Sequence, residues 1–582
     1  MSSLRLLNKV IFLLLLPLII LPARGEEEAI DIWKTDSISD EKINEIIIED
    51  NSKNESKLYE TIKPVVSNIK EEKNLEKIKQ NIFGLFDPEE NNLNINMWIN
   101  SDGKIILEKL NKIDEIKLSK DTEDILLTTL FTNSYSPEKN IKPLIFLDFK
   151  SKWLIKNKKN KIIENYLLKN PGLMGQSILV EYLVNEFLSE ANVDKACEKT
   201  KFIKVDYQSE YLDLFSIYCL TNENKIDEAQ LKFDLLKEKG FENNFYENKI
   251  NFLLGYLESP DIKVSDKNLF EFYLSHIVNS DFKYEPNERT SKEIWRYLSA
   301  ANLIYTSETV DIEDEVKINL LEKATSDGSY DSNELFNIYK KIMFNINQFL
   351  DIENSYKSLP NFKARALLYQ AVLLSDNYDK KMQLILKLNT LFEKDNIGNV
   401  ALDEIKIILS EIDREEISEK YLDFYDYYLK KEEDDLKKIK FNNNIIHRSK
   451  LLKYFIDEKY KVKNLEKDLE SVYKKIKKNK DYFFSIQDII LLESLKADGF
   501  KIPRKIEKLY SLENLIIPEN LINLNEQNEQ GLFLLNIVEM VGEDKFVDLD
   551  ADTLYFIISS MNKFNFKKLR NNIIAKSFPE RS

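Results

Sequence analysis

The side chains able to do chemistry are few. The 582 residues include two cysteines, Cys197 and Cys219, and two histidines, His276 and His447. Cys197 stands four positions after Val193, while Cys219 stands four after Phe215 and seven after Leu212, so each thiol falls on the apolar face of a helix. Two inward-facing thiols on consecutive antiparallel helices predict a Cys197–Cys219 disulfide in an oxidising compartment; two buried free thiols are the alternative. Closing a loop of about 22 residues stabilises a chain by roughly 3 kcal/mol in the chain-entropy model. No CxxC is present, which argues against redox catalysis. His276 follows Phe272 by four and Leu269 by seven and reads as a packed core residue, whereas His447, next to Arg448 in NNNIIHRSK, reads as a surface position.

The standard catalytic patterns have no foothold. HExxH and Cys/His clusters are missing, which argues against zinc, and so are GxSxG and GxxxxGK[ST]. Two near-matches are refused on their residues. GLMGQS, at 172–177, resembles the GLMQ element of lytic transglycosylases, but no E-S segment with the catalytic Glu precedes Gly172, and Gly172 and Gly175 are too few to cradle a phosphate. DLDADT opens at Asp548 with the spacing of a calcium loop, yet Thr553 stands where that loop needs Gly and Ser559 where it needs Glu, so Asp550 or Asp552 is expected to cap a helix instead. With 100 acidic residues, close carboxylate pairs arise by chance. The expectation is no catalytic residue, no metal site and no cofactor.

The elements that must position these residues are helices. Only 12 Gly and 13 Pro punctuate the chain, and runs of alternating Val, Ile and Thr are rare, which favours long helices over strands. The stretch from Ser177 to Gly240 repeats on itself at an offset of 33: Ile178 falls on Tyr211, Leu179 on Leu212, Tyr182 on Phe215, Val184 on Ile217, Phe187 on Leu220, Val193 on Ile226 and Ala196 on Ala229. Each copy reads as two helices joined by a polar turn, at Ser189–Asn192 and at Thr221–Lys225, with a small Ala early in the second helix where the pair must approach closely. Similar pairs are expected through Phe146–Asn170 and on to Asn396, with looser spacing. Phe83, Phe86 and Trp98 are expected to cap the first pair, Ser101 to start a helix running to about Ile113, and the segment from Gln527 onward to close the far end. The charged helices of 411–480 read as solvated faces.

The first 25 residues read as a cleaved export signal: Arg5 and Lys9, an apolar run from Val10 to Leu21, then Ala23 and Gly25 at the positions a signal peptidase reads, with Glu26 next. An uncleaved anchor is the alternative, disfavoured because the run is shorter than the roughly 20 residues a bilayer span needs. Without Arg5, Lys9 and Arg24 the chain keeps 81 basic residues against 100 acidic ones, a net charge of −19. That balance argues against nucleic acid and anionic lipid as partners. The domains expected are 1–25 signal, 26–70 acidic flexible arm, 71–280 helix-pair region, 281–500 second helical repeat region, and 501–582 linker and helical cap.

The helix pairs, through their period and the Ala of VDKA and IDEA, resemble the tetratricopeptide and Sel1-like repeats, although the aromatic and Gly signature positions of that class are missing. FGLFDPEE, EIWRYLSAANL and NEQGLFLLNIVEM are similar to segments of exported all-helical bacterial proteins, a likeness that brings no activity with it. The resemblance implies an all-α fold, a right-handed solenoid of degenerate hairpins capped at both ends. The function expected is that of a periplasmic or secreted scaffold binding a protein or an envelope component, without catalysis or a transmembrane span. A cell-wall enzyme and a structural spacer are the alternatives.

Overall fold

The computed structural model describes residues 82–171, 176–203, 209–429, 439–457, 459–508 and 528–581, together with 510, 511 and 524. The expected signal with Ala23, Gly25 and Glu26, the acidic arm, Gly172, Gly175, the KKEEDDLKK run at 430–438 and half of the 501–520 connector lie outside the described residues.

Many of the helices begin where a short polar side chain takes up the free N–H groups of the first turn. Asp102 accepts from Lys104 N, Ser119 from Thr122 N, Ser291 from Ile294 N and Asn377 from Lys380 N. The helix expected from Ser101 is capped one residue later, by Asp102, while the Ser101 hydroxyl is buried without a partner. The first region comprises α1 (Gly103–Glu115), α2 (Lys120–Phe131), α3 (Pro143–Lys156), α4 (Asn160–Lys169), α5 (Ser177–Ser189), α6 (Val193–Glu198), α7 (Glu210–Asn222), α8 (Ile226–Glu238), α9 (Asn244–Leu253), α10 (Leu269–Ile277) and α11 (Lys292–Ala300). A second follows with α12 (Glu315–Ser326), α13 (Ser332–Lys341), α14 (Asn361–Leu374), α15 (Tyr378–Lys394), α16 (Leu402–Ser410) and α17 (Leu422–Leu429). The chain then returns through α18 (Val462–Lys478), α19 (Ile486–Ala497), α20 (Gln530–Val541), α21 (Ala551–Lys563) and α22 (Lys567–Ser577). Shorter helical turns join these, and the one sheet among the described residues pairs Ile439–Lys440 with Glu580–Arg581. No described helix is long and apolar enough to cross a membrane.

The repeated stretch forms two hairpins, α5–α6 and α7–α8, whose helices start 33 positions apart in both cases. Ala191 and Asn224 adopt left-handed conformations in the two turns, and Ala196 and Ala229 are fully buried where the paired helices touch. Cys197 and Cys219 lie at disulfide distance, with Cα atoms 5.6 Å apart, and tie the second helix of one hairpin to the first helix of the next.

Two hydrophobic cores organise the chain. The first draws on residues between Phe83 and Leu298 and again between Ile446 and Phe578; the second lies between Trp295 and Tyr428. Helix α11 serves both, sending Ile294, Tyr297 and Leu298 into the first and Trp295 into the second. Each such aromatic or aliphatic side chain, fully buried, contributes about 1.5–3 kcal/mol before entropy is counted.

The segments expected to cap opposite ends of a stack instead meet each other. Gly531 N donates to Met97 O at 3.1 Å, Asn94 N to the Gln530 side chain at 2.7 Å, and Lys576 pairs with Asp121 at 2.7 Å. Helix α20 is apolar over most of its surface, burying Leu532, Phe533, Leu534, Leu535, Ile537 and Val538. Such a helix needs neighbours on most sides, and α1, α2 and the Trp98 ring supply one side of its cage. A Cβ on Gly531 would stand 2.5 Å from the Trp98 ring, so only glycine permits this approach.

Candidate functional site

Three cavities adjoin one another where the second region meets the first. The largest, about 670 Å³, lies between α12, the start of α14 and the turn after α15. A narrow one beside α11 and α12 shares Lys323 and Asp327 with it, and shares Ser329 with a third of about 520 Å³ that reaches α5 and the start of α13. Together they make a furrow, with polar walls furnished by the N-terminal turns of α12, α13 and α14.

The furrow is acidic. Its walls carry Glu190, Asp331 and Glu334 at one end, Glu288 and Asp327 in the middle, and Glu315, Glu322 and Asp395 at the other. Four basic residues face them, and three are already engaged. Arg296 grips Glu186 with two hydrogen bonds of 3.0 and 3.1 Å, fastening α11 to α5, while Lys292 bonds Asp327 at 2.6 Å. Arg365 sits on the floor of the large cavity, with Nε donating to Glu322 Oε1 at 3.0 Å and Nη1 to Asp395 Oδ2 at 2.6 Å. Its Nη2 also bonds Glu322, and Tyr339 donates its hydroxyl to the same carboxylate. The fourth, Lys323, has no described carboxylate partner.

The electrostatics of that floor follow from burial. Arg365 and Glu322 are each 2% exposed. Burial is the largest influence and opposes the guanidinium's charge, but Glu322, Tyr339 and Asp395 together overcome it and raise the Arg365 pKa, so the cation is permanent. Burial also pushes the Glu322 carboxyl upward, against the pull of Arg365 and Tyr339. We take the pair as ionised, because the guanidinium keeps its proton and clamps the carboxylate. Of the four carboxylates that line the large cavity, Glu322 and Asp395 thus hold the same cation, and neither of these two is free to shuttle a proton.

Other sites have defined surroundings. His276 is half-buried, with Nδ1 2.6 Å from the Tyr297 hydroxyl and its ring against Phe282. His447, expected at the surface, is mostly covered: Nδ1 lies 2.7 Å from Asp488 Oδ1 and 3.2 Å from Ser485 Oγ, and its ring packs against Phe578. The sequence missed this because its partners lie some 40 positions away, on the first turn of α19. The Ser, His and Asp do not make a nucleophilic relay, since the hydroxyl and the carboxylate share one ring nitrogen and Ser485 is committed to capping α19. Asp550 caps α21 by accepting from Asp552 N and Thr553 N, the role expected for that acidic stretch.

A second buried cation lies far from the furrow in sequence. Lys150 is 2% exposed in the first core, and its Nζ is 5.2, 5.5 and 5.9 Å from the ring centres of Phe131, Phe146 and Tyr166. Its one described hydrogen bond goes to Phe83 O at 3.3 Å, and burial lowers its pKa to about 7. The signal for both cations was available in the sequence. Lys150 falls on the apolar stripe of Phe146, Leu147, Trp153 and Leu154, and Arg365 on that of Phe362, Leu368, Tyr369 and Val372. No family model, curated protein or solved structure matches the chain.

Proposed function

We propose that the protein binds an extended, positively charged segment of another polypeptide along the acidic furrow, and that it does so as an exported scaffold without catalysis. The observation that carries this reading is the row of three adjoining cavities whose walls carry eight carboxylates against four basic groups. Long-range attraction would gather a basic segment, and the Asn, Ser and Thr side chains of the walls would hydrogen-bond its backbone. In this reading tetratricopeptide-like stacking is confined to the two hairpins of 177–238, of which α5 packs against α11. The cell-wall-enzyme alternative needs two neighbouring carboxylates free to act as acid and base, and the two that Arg365 draws together in the large cavity, Glu322 and Asp395, are both held in its clamp.

The test is fluorescence anisotropy with a labelled ten-residue peptide of alternating lysine and serine, against a glutamate–serine peptide of equal length. The lysine peptide should bind, weaken with added salt, and lose about tenfold or more in affinity on Glu190→Lys, Glu288→Lys and Glu315→Lys together. Equal affinity for both peptides, or no effect of the three changes, would refute the reading.

A further inference from the structure

We propose that the end of α18 and the loop that follows it form a docking point for a bilayer surface containing acidic phospholipid. The residues are Lys474, Lys475, Lys477, Lys478 and Lys480, all exposed, and Phe483, whose side chain is 86% exposed. No described carboxylate pairs with any of the five lysines. Cations in the last turn of a helix complement its dipole, but one or two suffice for that, and these are five in seven positions of a chain whose net charge is −16. The patch therefore runs against the acidic balance of the whole chain.

The geometry separates this patch from a merely solvated face. The two neighbours of Phe483 point inward and fix the loop. Tyr482 donates to Asp488 at 2.8 Å and accepts from Ile446 N at 3.0 Å, and Phe484 packs its ring 5.9 Å from that of Tyr510. Phe483 is held out between two anchored aromatics, so contact with a partner needs little ordering of the loop backbone beyond the ring itself. Beside it lies a cavity of about 340 Å³ walled by Tyr473, Tyr482 and Phe484, with Lys477 and Lys480 at the rim. An apolar ring ringed by ammonium groups suits the headgroup layer of an anionic bilayer, where the ring enters the acyl boundary while the lysines meet phosphate. A nucleic acid would use the charges but leave the protruding ring without a role. The net acidity of the rest of the chain repels the same surface and fixes one orientation.

The experiment is co-sedimentation of the purified protein with vesicles of phosphatidylcholine alone or mixed with phosphatidylglycerol. Binding is expected for the mixed vesicles only. It should fall about a hundredfold or more when Lys475, Lys477, Lys478 and Lys480 are all changed to Gln, and about tenfold for Phe483→Ser. Every altered side chain is exposed, so circular dichroism and thermal unfolding should match the unaltered protein. Equal binding to neutral vesicles would overturn the proposal, as would undiminished binding of both variants. Loss of a solution oligomer in the variants, with no vesicle binding by the unaltered protein, would reassign the patch to a protein interface.

Discussion

The two cores each bury a cation, and they keep it in opposite ways. Arg365 in the second core is held by Glu322 and Asp395, two carboxylates brought from α12 and from the end of α15. Lys150 in the first is surrounded by three aromatic rings and one backbone carbonyl, with no carboxylate. Pairing is the ordinary solution, which the first core itself uses elsewhere, where Arg570 meets Asp498 at 2.6 Å. A guanidinium cannot shed its proton, so burying it requires a counter-charge; an ammonium can, so an aromatic cage suffices. The second core is therefore tied to an intact set of charges, while the stability of the first is tunable by pH.

The largest effect expected on this comparison is at the clamp. Arg365→Met leaves Glu322 buried with only the Tyr339 hydroxyl, and should cost about 3–5 kcal/mol, the usual consequence of orphaning one partner of a buried ion pair. Adding Glu322→Leu should recover most of that loss, because two apolar side chains no longer require each other. Hydrogen exchange read by mass spectrometry should place the weakening in segments of 315–429 and leave the first core protected. If the single variant is as stable as the unaltered protein, the two cations are not kept differently and the comparison fails.

A smaller effect separates the cores by covalent closure. Cys197 and Cys219 join α6 to α7 in the first core, and among the described residues the second has no equivalent. Changing both to Ala should cost roughly 3 kcal/mol in the chain-entropy model, with lost protection confined to the α5–α8 hairpins. Thiol titration of the denatured, unreduced protein should find no free thiol; two free thiols would remove this difference between the cores.

How much of this was legible in the sequence depends on distance along the chain. The hairpins of 177–238 were readable because a 33-residue offset superimposes apolar positions, and the turns at Ser189–Asn192 and Thr221–Lys225 fall between α5 and α6 and between α7 and α8. The meeting of Trp98 with Gly531 was not readable, because no local pattern says which apolar helix covers which. The same limit hid His447 against Asp488, and it hid the furrow, whose acidic residues come from five separate segments in a chain where carboxylates are everywhere. The buried cations were readable in part: a charge on an apolar stripe announces burial, but not whether rings or carboxylates will receive it.

The finest test of the comparison is a pH slope. Lys150 has a folded-state pKa of about 7, below the ordinary lysine value of 10.5, so between those limits the unfolded chain binds more protons than the folded one. Stability contributed at this site therefore rises with pH across that window, and below about pH 7 the penalty for burying the ammonium is complete. Lys150→Met removes the titration but keeps the apolar contacts with Phe131, Phe146 and Tyr166. The variant should be more stable than the unaltered protein at pH 7, and its advantage should shrink by about 1 kcal/mol per pH unit between pH 8 and 10, as read by urea unfolding. Tyrosines whose pKa burial raises also titrate at the upper end, but they are common to both proteins and cancel in the difference. The same comparison for Arg365→Met combined with Glu322→Leu should show no such slope over this range, since the guanidinium and its clamped carboxylate do not change charge there and the double variant has neither. A flat difference for Lys150→Met would mean that the rings hold the ammonium as firmly as carboxylates hold Arg365, and that the two cores differ in parts rather than in principle.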